Sequence, residues 1–239
     1  MFFFYDYPYL VLVLPTILLA MFASLKVNTT FEKYQKQLSS RHITGAEAAR
    51  QVLNANGLYD VAISMVGGTL SDHYDPRNNT VYLSEAVHNS TSTAAIGVAT
   101  HEAGHAIQHA TGYLPIKIRS AIIPVTNIGS RLAIPLILIG LLLDVFAESS
   151  IGIMLAYVGV ICFSLTAVFQ LITLPTEFNA SARAMKALDE GGILTRDELK
   201  GARNVLSAAA MTYVAALAVS LAQLLRLLIL VAGNSRRRN

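Results

Sequence analysis

Four stretches of the chain stay apolar for about the thickness of a bilayer core, and they limit the fold more than any other feature. They are residues 8 to 25 (PYLVLVLPTILLAMFASL), 121 to 146, 151 to 174 and 205 to 233. A segment inside lipid must satisfy all of its own backbone hydrogen bonds, so runs of this length are spanning helices. Only 14% of the 239 residues are charged, where a soluble domain carries about a quarter. The expected fold class is therefore mainly α and integral to a membrane, with about four transmembrane helices. The first run reads as a retained anchor. MFFFYDY, before it, contains Asp6 and no Lys or Arg, and no small-x-small cleavage site follows. In the second run Pro124 and Pro135 can bend the helix, and Arg131 snorkels to an interface. Arg226, about two turns from the end of the fourth run, is expected to do the same.

The net charge of +3, without a stripe of Lys and Arg interleaved with aromatics, excludes nucleic acid as a partner. The single Cys162 lies in an apolar run, so there is no disulfide framework and no thiolate metal site.

Two stretches, 26 to 120 and 175 to 204, are polar enough to lie outside lipid. The second and third spans form a hairpin between them, which puts both stretches on one membrane face. Thr44 and Glu47 have capping-box spacing ahead of an amphipathic helix, and Asn56-Gly57 stops it. VAISMVGGTLSDHYDPRNNTVYLS reads as short strands punctuated by Gly67-Gly68 and Asp75-Pro76. The run Thr80 to Leu83 is expected to offer an open edge to an extended peptide.

TAAIGVATHEAGHAIQHATG, residues 93 to 112, places His101, Glu102 and His105 in an otherwise small, apolar helix. Residues four apart share a helix face, so both imidazoles can bind one zinc ion at about 2.0–2.1 Å. Glu102 is rotated by about 100°, beside the ion, where it can reach an attacking water. Gly104 removes bulk next to the pair. Burying such groups without a metal or partners would cost several kcal/mol. The pattern is H-E-x-x-H: two ligands and a general base. His109 reads as a surface residue one turn beyond, and His42, His73 and His88 carry no ligand spacing.

A catalytic zinc takes three protein ligands and one open position. The metzincin continuation is absent, since Gln108 and Thr111 stand where Gly and His would be. A carboxylate from a second helix is the alternative. In TLPTEFNASARAMKALDEGG, Pro175 is expected to end the third span and Thr176 to cap a new helix with Glu177 in its first turn. Asn179 and Ser181 follow as hydrogen-bonding groups around the ligands. Asp189, Glu190, Asp197, Glu198, Glu85, Asp72 and Asp75 compete less well, as helix ends, caps or turn residues.

HEAGHAIQ, preceded by DHYDPRNNTVYLS and followed after a hairpin by LPTEFNASARA, resembles the YugP-like neutral zinc metallopeptidases of bacterial membranes, and more distantly the HtpX-like membrane gluzincins. The resemblance covers nearly the whole chain, residues 1 to 239, as a single membrane metallopeptidase domain. It implies a zincin-like α+β part on one membrane face. It also implies one zinc per chain on His101, His105 and Glu177, with Glu102 as base. YugP-like chains usually carry Asp where this chain has Asn179, and the HtpX-like class an Asp where it has Ser181.

The activity expected is hydrolysis of a peptide bond in a protein or peptide substrate, membrane proteins included, at the bilayer. Arg183, Tyr82 and His88 are the candidates for stabilising the oxyanion. The alternative is a non-catalytic membrane scaffold or metal-handling protein on the same ligands. Lys26, Lys33, Lys36, Lys117, Arg119, Arg183, Lys186, Arg196, Lys200 and Arg203 flank the spans on the site side. The opposite side has Asp144 and Glu148 in its loop and Arg236, Arg237 and Arg238 in its tail. This bias points the site to the cytoplasmic side of a bacterial plasma membrane.

Overall fold

The computed structural model describes residues 7–68, 71–147 and 150–236. Asp6, Glu148, Arg237 and Arg238 lie outside the described residues, as do Thr69 and Leu70 of the strand region. A π-helical stretch (Tyr9–Val13) leads into α1 (Leu14–Gln35). There follow α2 (Gly45–Ala55), β1 (Ala62–Val66), β2 (His73–Asp75), β3 (Thr80–Ser84), α3 (Glu85–His88) and α4 (Thr93–Ala110). Three long helices complete the chain: α5 (Leu114–Phe146), α6 (Ser150–Glu190) and α7 (Arg196–Arg236). These elements form two compact units, one of which takes Ala23–Lys117 and Pro175–Met211.

The other unit holds the apolar helix segments. Among the described residues, four helices are long and apolar enough to cross a membrane, as the four runs required. Ile128 (62% exposed), Leu138 (55%) and Ile161 (66%) point outward, which only a lipid solvent makes favourable. Lipid provides no hydrophobic drive between helices, so close packing must supply the cohesion. Here it uses small residues: a Cβ on Gly159 would lie 2.7 Å from the Ala133 carbonyl oxygen. Ile137, Ala156, Val160, Leu227 and Val231 fill the core. Arg131 is exposed, and the Arg226 guanidinium lies over the Tyr9 ring, 5.3 Å from its centroid. Pro124 and Pro135 sit inside a continuous α5.

In the second unit α2 begins with the full capping box. The Thr44 hydroxyl accepts from Glu47 N–H, and the Glu47 carboxylate accepts from Thr44 N–H at 2.7 Å. Gly57, at φ 74°, turns the chain out of the helix. Ala48, Ala49, Val52 and Leu53 of α2 pack with Ala95, Ile96, Ala99, Ala103 and Ala106 of α4 in one core. Their small side chains let the two helices lie close.

The three strands form one sheet in the order β1-β3-β2, with β3 parallel to β1 and antiparallel to β2. This corrects the expectation of an open edge at Thr80 to Leu83. β3 is the central strand, Val81 and Leu83 are fully buried, and both of its ladders are occupied. The sheet edges are β1 and β2.

A second correction concerns Pro175. α6 passes through it without ending, so Thr176 caps nothing and Glu177 stands within a helix. A proline there removes one i→i−4 hydrogen bond and costs about 3 kcal/mol in isolation. Packing outweighs this: Thr176 is fully buried, and its carbonyl also accepts from Gln108 Nε2 at 2.8 Å.

Candidate metal centre

Ser92 caps α4, its hydroxyl accepting from Ala95 N–H at 3.2 Å, and the alanine-rich sequence that follows favours helix. Thr100 turns its buried hydroxyl back to the carbonyls of Ile96 and Gly97, which satisfies it within the helix. At about 100° per residue, His101, His105 and Gln108 fall on one side of α4, with Gly104 beside them. On α6, Glu177 and Ser181 are one turn apart, and Ala180 and Ala184 beside them are fully buried. A Cβ on Gly104 would lie 2.7 Å from the Ala180 carbonyl oxygen. Glycine is therefore required for α4 and α6 to approach this closely.

That approach brings His101, His105 and Glu177 together, each offering a ligand atom within 4.8 Å of the others. His101 Nε2 is 3.3 Å and His105 Nε2 3.5 Å from Glu177 Oε2. Ligands about 2.0–2.1 Å from a tetrahedral zinc are separated by about 3.3–3.4 Å. The two nitrogen–oxygen distances thus match edges of such a tetrahedron, and the N₂O donor set fits zinc. The imidazoles meet edge to face, at 85° and 4.7 Å between centroids. Their side chains are 15% and 10% exposed and that of Glu177 is 3% exposed, so the group is almost dry.

Both remaining imidazole nitrogens are engaged. His101 Nδ1 lies 3.1 Å from Ser181 Oγ, and His105 Nδ1 lies 3.0 Å from Gln108 Oε1. Burial by itself would lower the His105 pKa. The hydrogen bond to Glu177, the charges of Glu102 and Glu177 and the bond to Gln108 outweigh it and hold the pKa above its ordinary value.

Glu102 is 8% exposed, and its carboxylate has no hydrogen-bond partner among the described residues. Ser181 touches a histidine directly. Asn179 does not; its Oδ1 accepts from Gln108 Nε2 (3.0 Å) and Arg183 Nε (2.8 Å). Arg183 leaves α6 about 240° around from Glu177, with its guanidinium over the Tyr113 ring. Tyr82 accepts from Asn78 Nδ2 and stacks on His73, and His88 Nδ1 pairs with Asn89 Oδ1. Among the described residues, no hydrogen bond or ion pair joins these three oxyanion candidates to His101, His105 or Glu177. His109 packs near Tyr74. Of the competing carboxylates, Glu198 accepts from Thr195 and Ser40 N–H, Asp72 from Ser84, and Asp75 from Arg77. Gln108 was not singled out by sequence as a site residue. Its only signal is its place three residues after His105 on the same helix face.

Residues 9–232 match the model of the family described as "Putative neutral zinc metallopeptidase". The chain belongs to this family. It is 48% identical over 221 residues to a Bacillus subtilis (strain 168) protein described as "Putative membrane protease YugP", covering 92% of this chain and 95% of that one. No solved structure matches the chain. A family of zinc metallopeptidases accords with a chain whose described residues gather two histidines and a glutamate in zinc-binding geometry.

Two outcomes are expected. His101→Ala, His105→Ala and Glu177→Ala should each lose zinc measured by elemental analysis, and Gly104→Val should weaken it by separating the helices. Glu190→Ala, on an exposed residue, and Glu198→Ala should not; equal effects of the three glutamate variants would mean that Glu177 is the wrong carboxylate.

The second outcome concerns pH. The His105 pKa is raised on folding from about 6.5, so in zinc-free protein its stabilising effect is full below that pH and is lost as pH rises through the folded value. Zinc requires the neutral imidazole, so its affinity should rise over the same window. Melting temperatures of chelated and zinc-loaded protein between roughly pH 6 and 8 should therefore diverge. Parallel curves would contradict the coupling.

Proposed function

We propose that the protein is a membrane-embedded zinc metalloendopeptidase of gluzincin type. The observation that carries this reading is the pairing of the His101–His105–Glu177 group with Glu102, a nearly buried carboxylate one residue from a ligand and without a hydrogen-bond partner among the described residues. His101, His105 and Glu177 would hold one zinc per chain. When bound, the ion supplies Lewis acidity, lowering the pKa of water toward about 7 and polarising the substrate carbonyl. Glu102 accepts the proton of the attacking water and delivers it to the leaving amine nitrogen as the C–N bond breaks. Ser181 and Gln108 orient the imidazoles, and the dry surroundings strengthen every charge interaction. The substrate is a protein or peptide reached at the bilayer, membrane proteins included.

A structural or metal-handling site would close its coordination with a fourth protein ligand and would have no use for Glu102. Glu102→Gln keeps the size and removes the base. Zinc content should stay unchanged while digestion of casein or a membrane protein falls by orders of magnitude. Unchanged turnover would remove Glu102 from the mechanism, and an inactive wild type would favour the scaffold.

The site faces the cytoplasm of a bacterial cell in this reading, because ten Lys and Arg residues flank the spans on its side. The tail arginines Arg236, Arg237 and Arg238 are the contrary signal, and the first span with Lys26, Lys33 and Lys36 dominates them. Asn78→Cys in a Cys162→Ala background should resist an impermeant thiol reagent on intact cells and react after lysis. Labelling without lysis would place the site outside.

A further inference from the structure

We infer that Gln108 is a positioning residue of the metal site: it fixes the His105 tautomer that leaves Nε2 free to bind the ion. Its side chain is fully buried and makes three hydrogen bonds. The orientation of each follows from groups that can play only one role. Arg183 Nε is a donor only, so the Asn179 atom 2.8 Å from it is the acceptor Oδ1. The Thr176 backbone carbonyl is an acceptor only, so the Gln108 atom 2.8 Å from it is Nε2. That nitrogen spends its two protons on Thr176 O and on Asn179 Oδ1, at 3.0 Å.

The amide cannot turn over, because Oε1 would then face two acceptors. Oε1 is therefore held 3.0 Å from His105 Nδ1. An amide oxygen accepts and cannot donate, so Nδ1 carries the proton. In neutral imidazole the other nitrogen, Nε2, then bears the lone pair, and it lies on the Glu177 side, 3.5 Å from Oε2. The backbone of α6 thereby sets the proton position of a ligand on α4. A fully buried Gln anchored to a carbonyl does this with little freedom to reorient. Ser181 is less restrictive at His101, since a hydroxyl can donate or accept.

This inference rests on the zinc reading. The test compares zinc affinity, by chelator competition, with the melting temperature of zinc-free protein for wild type, Gln108→Met and Gln108→Glu. Methionine fills the space and accepts poorly, so zinc Kd should rise about 10–100-fold, with shifted absorption bands in the cobalt-substituted protein. Glutamate keeps an acceptor at Nδ1 but opposes Thr176 O and Asn179 Oδ1. Gln108→Glu should therefore bind zinc on the order of tenfold more tightly than Gln108→Met, yet melt at the lower temperature.

Affinity and stability thus rank the two variants in opposite orders. If affinity simply follows stability, so that Gln108→Glu binds weakest, Gln108 only packs and the inference fails. An unchanged Kd in Gln108→Met overturns it equally. Wild type that binds no zinc overturns the metal reading itself, a result separate from either of these.

Discussion

The contact between α4 and α6 at Gly104 is what the rest of the second unit depends on. Two potential ligands come from α4 and the third from α6, 76 residues further along for His101 and Glu177. They meet because Gly104 presents no side chain to the Ala180 backbone, where a Cβ would stand 2.7 Å from a carbonyl oxygen. Metal coordination tolerates errors of about 0.2 Å. A displacement of a few tenths of an ångström, which any larger residue would impose, is therefore enough to spoil the geometry. α2, packed on α4 through alanines, supports this contact from the same core.

Close packing also dries the site, and a dry site must account for each polar atom. Glu177, His101 and His105 are satisfied by one another, by Ser181 and by Gln108. From His105 the connections run outward through Gln108 and Asn179 to Arg183, which rests on Tyr113. Such a network rigidifies its members when complete and is costly when broken. Glu102 stands outside these hydrogen bonds: its carboxylate has no hydrogen-bond partner among the described residues.

The membrane-spanning part follows a different logic. Lipid replaces water as the solvent, so large apolar side chains face outward and glycine and alanine face inward. Two of its polar groups are tied down locally. Asn234 Nδ2 donates to the Asp144 carboxylate, and Arg226 lies on an aromatic face.

Much of this is legible in the sequence because it depends on neighbours only a few residues apart. The apolar runs state four spanning helices by length, Thr44 and Glu47 state a helix start, and His101 and His105 state one helix face at four-residue spacing. The family resemblance and the Glu177 carboxylate came from the same local patterns. Tertiary structure decided the rest. A proline that breaks isolated helices stays inside α6, because buried packing around Thr176 outweighs one lost hydrogen bond. The run from Thr80 to Ser84 becomes a central strand, because edge or centre depends on which other strands dock beside it. Ser181 rather than Asn179 reaches His101, and Gln108 links His105 to α6, because those distances are set by the α4–α6 approach. Helical spacing places a residue on a face, but what that face meets is determined by chain many residues away.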